Sequence, residues 1–197
     1  MKTKTTNNKS YIGVDLSLTS PAICVFQGTT FDINSCQFFF LTDKKKYEQT
    51  IPQIQGTLFP FYSCDQERYN NIANWILAKV NEFNTEHVFI EDYSFGSTGR
   101  VFNIAENCGL LKHKLWDSKI PFTTIPPTVI KKYATGKGNA NKEALQTHFI
   151  QKTNLDIKAT LGMTDKQWNP SSDIIDSYFI CGCGYELEDN RQLHSGN

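Results

Sequence analysis

Between residues 65 and 116 the sequence switches period twice, and few folds accommodate the switch. Tyr69, Ile72, Ala73, Ile76, Leu77, Val80 and Phe83 form one apolar stripe at helical spacing. Val88-Phe-Ile90 then runs apolar without alternation and ends in Glu91. Residues 103–116 return to helical spacing through Ile104, Cys108, Leu111 and Leu115. A short unbroken apolar run between two amphipathic helices predicts a strand buried on both sides, which requires a sheet with helices on both faces.

The flanking segments extend that sheet. Tyr11–Val14 is an apolar run ending in Asp15, followed by predicted strands at Ala22–Phe26 and Ser35–Leu41. Short connections bearing Gly28 and Asn34 suit an antiparallel meander. Phe122–Ile125 predicts a further strand. Pro126-Pro127 opens a helix through Tyr133, Gly136-Lys-Gly138 breaks it, and another helix spans about Asn141–Lys152. A last helix starts at Ser171 or Ser172, with serine as its N-cap, and runs to about Glu186. The predicted order is β-β-β-α-β-α-β-α-α-α: an α/β mixed sheet, a three-strand antiparallel meander plus parallel strands, with flanking helices. Residues 43–63, with Lys44-Lys-Lys46, Pro52, Gly56 and Pro60, read as a long surface connection.

At 197 residues the chain suits one domain, predicted over 11–186, between a disordered polar leader (1–10) and a polar tail (187–197). No apolar run reaches the length of a membrane span and the first ten residues lack an apolar signal core, so an intracellular protein without membrane contact is expected. The six cysteines have no CxxC spacing and read as reduced thiols; Cys181-Gly-Cys183 fits core packing better than a metal or redox pair. The four histidines show no ligand spacing, and Asp65, Glu67 and Arg68 read as capping and surface pairs. Net charge is zero, but residues 100–142 hold eight Lys/Arg against Glu106 and Asp117, a local +6 that leaves −6 elsewhere. Such asymmetry fits a basic face beside an acidic site.

Two predicted strands end in acids, Asp15 and Glu91, and Asp173 and Asp176 lie three residues apart on one face of the last helix. Sites in α/β sheets gather at the carboxyl ends of strands. Four carboxylates converging there would repel one another unless divalent cations sat among them, and an all-oxygen set suits Mg²⁺, with Mn²⁺ as a substitute. Two ions about 4 Å apart clamp a phosphodiester for hydrolysis. Asp92 should point away from Glu91 if the strand continues, which excludes it from the ligands.

In this order the acids resemble those of RuvC-type Holliday junction resolvases, in the ribonuclease H-like superfamily. A second segment carries the resemblance further: Pro127-Thr-Val-Ile-Lys131-Lys-Tyr-Ala-Thr-Gly136-Lys-Gly138-Asn-Ala140-Asn-Lys142 is similar to the family's P-x-x-V/I-K…G-x-G-x-A-x-K. The resemblance spans about residues 11–186. It implies Asp15, Glu91, Asp173 and Asp176 as ligands of two Mg²⁺ ions, with Asp15 bridging, and Lys131 and Lys142 as active-site lysines. It also implies cleavage of four-way or other branched DNA to 5′-phosphate and 3′-hydroxyl ends by a homodimer. Family dimer contacts fall on the helix after the Glu strand, here 103–116, whose apolar stripe equally suits its own core.

From the residues themselves, Gly136 and Gly138 allow a turn close to phosphate, Asn141 suits a helix cap, and Lys132 and Lys137 add cations. Aromatics on the glycine-bearing loop after Glu91 suit base stacking, with Tyr93 and Phe95 straddling the family's wedge position and Arg100 beside them. Two other classes fit parts of the sequence. One is a non-catalytic junction-binding protein of the same fold. The other is an actin-like or sugar-kinase ATP-binding fold, whose phosphate loop Ile12–Thr19 resembles. The Asn-, Lys- and Phe-rich composition suggests AT-biased coding, as in a viral or phage source.

Overall fold

A computed structural model describes residues 9–92 and 101–195. Seven strands form one sheet: β1 (Ser10–Asp15), β2 (Ala22–Gln27), β3 (Cys36–Thr42), β4 (Thr50–Ile51), β5 (Ile54–Leu58), β6 (Thr85–Glu91) and β7 (Phe122–Ile125). Their spatial order is β4-β5-β3-β2-β1-β6-β7. β1, β2 and β3 are the predicted antiparallel meander, with Gly13 opposite Cys24 and Cys24 opposite Phe38. β6 lies parallel to β1, and β7 parallel to β6. The mixed sheet is as the sequence predicts, except at one edge.

That edge is residues 43–63. They are not a plain surface connection: β5 pairs parallel with β3, Phe38 opposite Ile54 through Thr42 opposite Leu58, and β4 caps the edge. Tyr47 and Ile54 are buried in the core beneath them. Pro52 and Gly56 break the local pattern, so these strands owe their existence to pairing with β3 rather than to local propensity.

Among the described residues six α-helices cover the sheet: α1 (Asp65–Glu82), α2 (Val101–Asp117), α3 (Pro127–Thr135), α4 (Lys142–Thr153), a short unpredicted α5 (Ile157–Thr160), and α6 (Ser171–Ser195). One face packs Ile12, Val14, Val88 and Ile90 against α1 and α2 through Ile72, Ile76, Leu111 and Leu115. The other packs Tyr11, Cys24, Phe38 and Phe89 against α3–α6 through Ile130, Phe149, Tyr178 and Cys181. Thus β6 is buried on both faces, as its sequence requires. Five cysteines are buried and Cys64 is exposed; all are free thiols. α6 runs beyond the expected Glu186 to Ser195, and Glu188 and Arg191 pair along its surface at 3.8 Å. Among the described residues no helix is long and apolar enough to cross a membrane.

The two layers meet most closely at Gly13. A Cβ there would stand 2.4 Å from the Cys181 nitrogen and 2.5 Å from the Ser177 oxygen, both backbone atoms of α6. Neither can swing aside, so Gly13→Ala must push α6 off the sheet. The expected cost is about 3 kcal/mol or more, measurable as a lowered urea midpoint.

Candidate metal centre

Close approach at Gly13 also sets the position of the acids. Residues 11, 13 and 15 of β1 face α6, while Ile12 and Val14 face the opposite layer. Gly13 lies under Ser177 and Cys181, so Asp15, two residues further along the strand, lies under the preceding turn of α6. That turn carries Asp173 and Asp176. Asp15, Asp173 and Asp176 each offer a carboxylate oxygen within 4.8 Å of the others. Glu91 shares the α6-facing side of β6 with Phe89, and β6 is hydrogen-bonded to β1, with Val14 opposite Ile90. It stands outside the 4.8 Å group but near enough to perturb both Asp15 and Asp176.

Electrostatics record the crowding. Burial, then the charges of Asp173, Asp176 and Glu91, push Asp15 well above the ordinary carboxylate range. Burial, Glu91 and Asp173 raise Asp176 from 3.8 to about 7, with Lys142 and Lys131 opposing. Glu91 rises from 4.5 to about 7 through burial, again opposed by Lys131. Asp173 is raised by burial and relieved mainly by a hydrogen bond from Ser20. Carboxylates raised together in one cluster form a group that could hold a cation. The donor set is all oxygen, without histidine or cysteine, which fits Mg²⁺ or Mn²⁺ and not zinc.

Both lysines singled out from the sequence come to this cluster. The charge of Lys131, on α3, acts on Glu91 and Asp176, and that of Lys142, at the start of α4, on Asp173 and Asp176, lowering the pKa of each. Between the helices, Gly136 takes the left-handed conformation (φ 78°) that closes α3, and Asn141 caps α4 by accepting from the Ala144 N–H at 2.9 Å. Lys132 and Lys137 are exposed on this hairpin. Tyr93, Phe95 and Arg100 lie outside the described residues. Asp92 pairs with Lys112 at 3.7 Å, consistent with its exclusion from the ligands.

Three further features were not foreseen. Ser20 and Asn169 hold Asp173: the Ser20 hydroxyl and the Asn169 amide (2.7 Å) both donate to Asp173 Oδ2. Arg68 is no surface partner; it donates to the Leu18 carbonyl and stacks on Phe59 and Tyr62, anchoring the loop that follows Asp15. The serines do not cap α6, since Ser171 is already its first residue and its buried hydroxyl has no partner among the described residues. No sequence pattern announces Ser20, which meets Asp173 across 153 residues.

Comparison with solved structures places the architecture. Thermus thermophilus RuvC matches with a TM-score of 0.55 at 16% identity, covering 91% of this chain and 96% of that one. The same organism's RuvC in complex with Holliday junction substrate gives 0.57 at 15%, covering 91% and 94%. The yeast mitochondrial Holliday junction resolvase Ydc2 gives 0.56 at 14%, covering 94% and 83%. The chain has the RuvC-type resolvase fold. No family model matches the sequence, and neither does any curated protein. The RuvC-type, ribonuclease H-like fold therefore rests on shape, with the acids at the carboxyl ends of β1 and β6 and on the first two turns of α6.

Proposed function

We propose that this protein is a metal-dependent endonuclease that cuts four-way or other branched DNA. The observation that carries the proposal is the convergence of Asp15, Asp173 and Asp176 within 4.8 Å, with Glu91, Lys131 and Lys142 around them, in a RuvC-type fold. Asp15, Asp173, Asp176 and Glu91 would hold two Mg²⁺ ions, or Mn²⁺ in their place. When bound, such a pair supplies Lewis-acid activation for phosphodiester hydrolysis, leaving 5′-phosphate and 3′-hydroxyl ends. Lys131 and Lys142 place positive charge where the scissile phosphate gathers negative charge. Lys132, Lys137 and the capped N-terminus of α4 hold the flanking backbone, and the segment bearing Tyr93, Phe95 and Arg100 is assigned to the branch point. Incubating a labelled synthetic four-way junction with the protein and Mg²⁺ should give nicks that DNA ligase reseals. Products that ligase leaves open would contradict the proposed end chemistry.

Paired cuts in a junction require two sites, and α2 supports a twofold homodimer. Its apolar stripe (Cys108, Leu111, Leu115) is buried in its own core. The opposite face exposes Phe102 (77%) and Trp116 (61%), with Gly109 open between them. Phe102 and Trp116 are each seven residues from Gly109. Two α2 helices crossing antiparallel at Gly109 therefore set Phe102 of one copy against Trp116 of the other. Trp116→Glu is expected to weaken self-association by at least about 30-fold, read by analytical ultracentrifugation.

A further inference from the structure

We infer that Ser20 and Asn169 form a selectivity clamp, which makes Asp173 a single-oxygen ligand and so favours Mg²⁺ over larger divalent ions. The inference rests on the metal-centre reading above and adds two residues that touch neither substrate nor ion. Ser20 is 3% exposed at the entry to β2, and its hydroxyl donates to Asp173 Oδ2. Asn169, one turn before Asp173, donates to the same oxygen at 2.7 Å. Its amide nitrogen also lies 3.2 Å from the Ser20 hydroxyl and 3.2 Å from Thr19 Oγ1, tying the loop after Asp15 to the start of α6. A carboxylate oxygen has two lone-pair directions, and these two donors occupy both on Oδ2. Oδ1 meets the Ser172 hydroxyl at 3.4 Å, a hydroxyl that also lies 3.3 Å from Asn169 Oδ1, and Asp173 further hydrogen-bonds the neighbouring Asp15 carboxyl of the cluster. Oδ1 is thus the oxygen left to face a cation.

Ion chemistry turns this into selectivity. Mg²⁺ demands near-octahedral geometry with one oxygen per ligand at about 2.0–2.1 Å, whereas Ca²⁺ takes six to eight oxygens at about 2.3–2.6 Å and accepts carboxylates bidentately. A carboxylate with one oxygen tied back suits the first ion and denies the second an extra contact. Ser20 and Asn169 are therefore positioning residues that act through Asp173.

Thermal-shift titrations of the full chain with MgCl₂ and, separately, CaCl₂ at pH 8 test this without any cleavage. Asn169→Ala and Ser20→Ala are each expected to weaken Mg²⁺ binding by about tenfold, the scale of losing a partner behind a metal ligand. Ca²⁺ binding should be unchanged or tighter, so the Mg²⁺/Ca²⁺ preference falls at least about tenfold. Ser20→Thr keeps the hydroxyl and should retain the wild-type preference. If one alanine variant does not fold, the other still reads the ratio. Equal loss of both ions, or no change in either, overturns the clamp and leaves the metal centre standing. Failure of the wild-type protein to bind either ion overturns both.

Discussion

Asp15→Asn and Asp176→Asn should each lower cleavage of a four-way junction by at least about a thousandfold, equivalent to about 4 kcal/mol of activation barrier. Each removes one negative charge from a cluster whose oxygens lie within 4.8 Å. An amide oxygen is a weaker ligand for a hard cation than a carboxylate. The folded structure should survive, because asparagine is isosteric and relieves repulsion that the native cluster bears. Junction affinity, read by gel shift in Ca²⁺, should stay within about threefold of wild type or rise, since the protein loses negative charge near phosphate. Loss of binding and cleavage together would instead point to a structural role.

A second large effect concerns stability. Glu91 and Asp176 are both raised to about 7 in the folded, metal-free protein. The folded state therefore holds more protons than the unfolded chain between about pH 4 and pH 7, and unfolding free energy must fall as pH rises through that window. A tenfold difference in proton affinity between folded and unfolded states is worth about 1.4 kcal/mol. Counting at least one such factor for each of the two acids, the metal-free protein should lose about 3 kcal/mol between pH 5 and pH 8. For a chain of this size that loss corresponds to a fall of about 6–12 °C in melting temperature. Mg²⁺ binds only the ionised acids, so it should restore stability at pH 8 and do little at pH 5. Asp176→Asn serves as the control: without metal it should be more stable than wild type at pH 8, with a flatter pH profile. Calorimetric scans with and without Mg²⁺ at both pH values measure all of this. A wild-type melting temperature that rises from pH 5 to pH 8 without metal would contradict the crowded cluster.

The features legible in the sequence are those with a local cause. The apolar run before Glu91 predicts β6 because a strand buried on both sides cannot alternate. Asp15 and Glu91 are visible as strand ends, and Asp173 and Asp176 as two acids on one helix face. Gly136, Gly138 and Asn141 mark the α3–α4 hairpin through turn and cap chemistry. What escaped depends on contacts distant in the chain. β4 and β5 form because β3 offers an edge, and their own residues are punctuated by Pro52 and Gly56. Ser20 reaches Asp173 across the whole fold, and Arg68 reaches the Leu18 carbonyl from α1. Gly13 gives no sign in sequence that α6 lies against its backbone. Serine before an acidic helix start reads as a cap, yet the helix begins at Ser171 itself.

The central claim, that the acids of β1, β6 and α6 form a metal-dependent centre for cutting branched DNA, is tested most directly by one side-by-side assay. Wild type and Asp176→Asn are incubated with a synthetic four-way junction and a linear duplex of the same sequence, in Mg²⁺ and in EDTA. The expected result is nicking of the junction by wild type in Mg²⁺, with the duplex spared and with no product from the variant or in EDTA. Tight junction binding by wild type without cleavage in Mg²⁺ or Mn²⁺ would contradict it, leaving a junction-binding protein of the same fold.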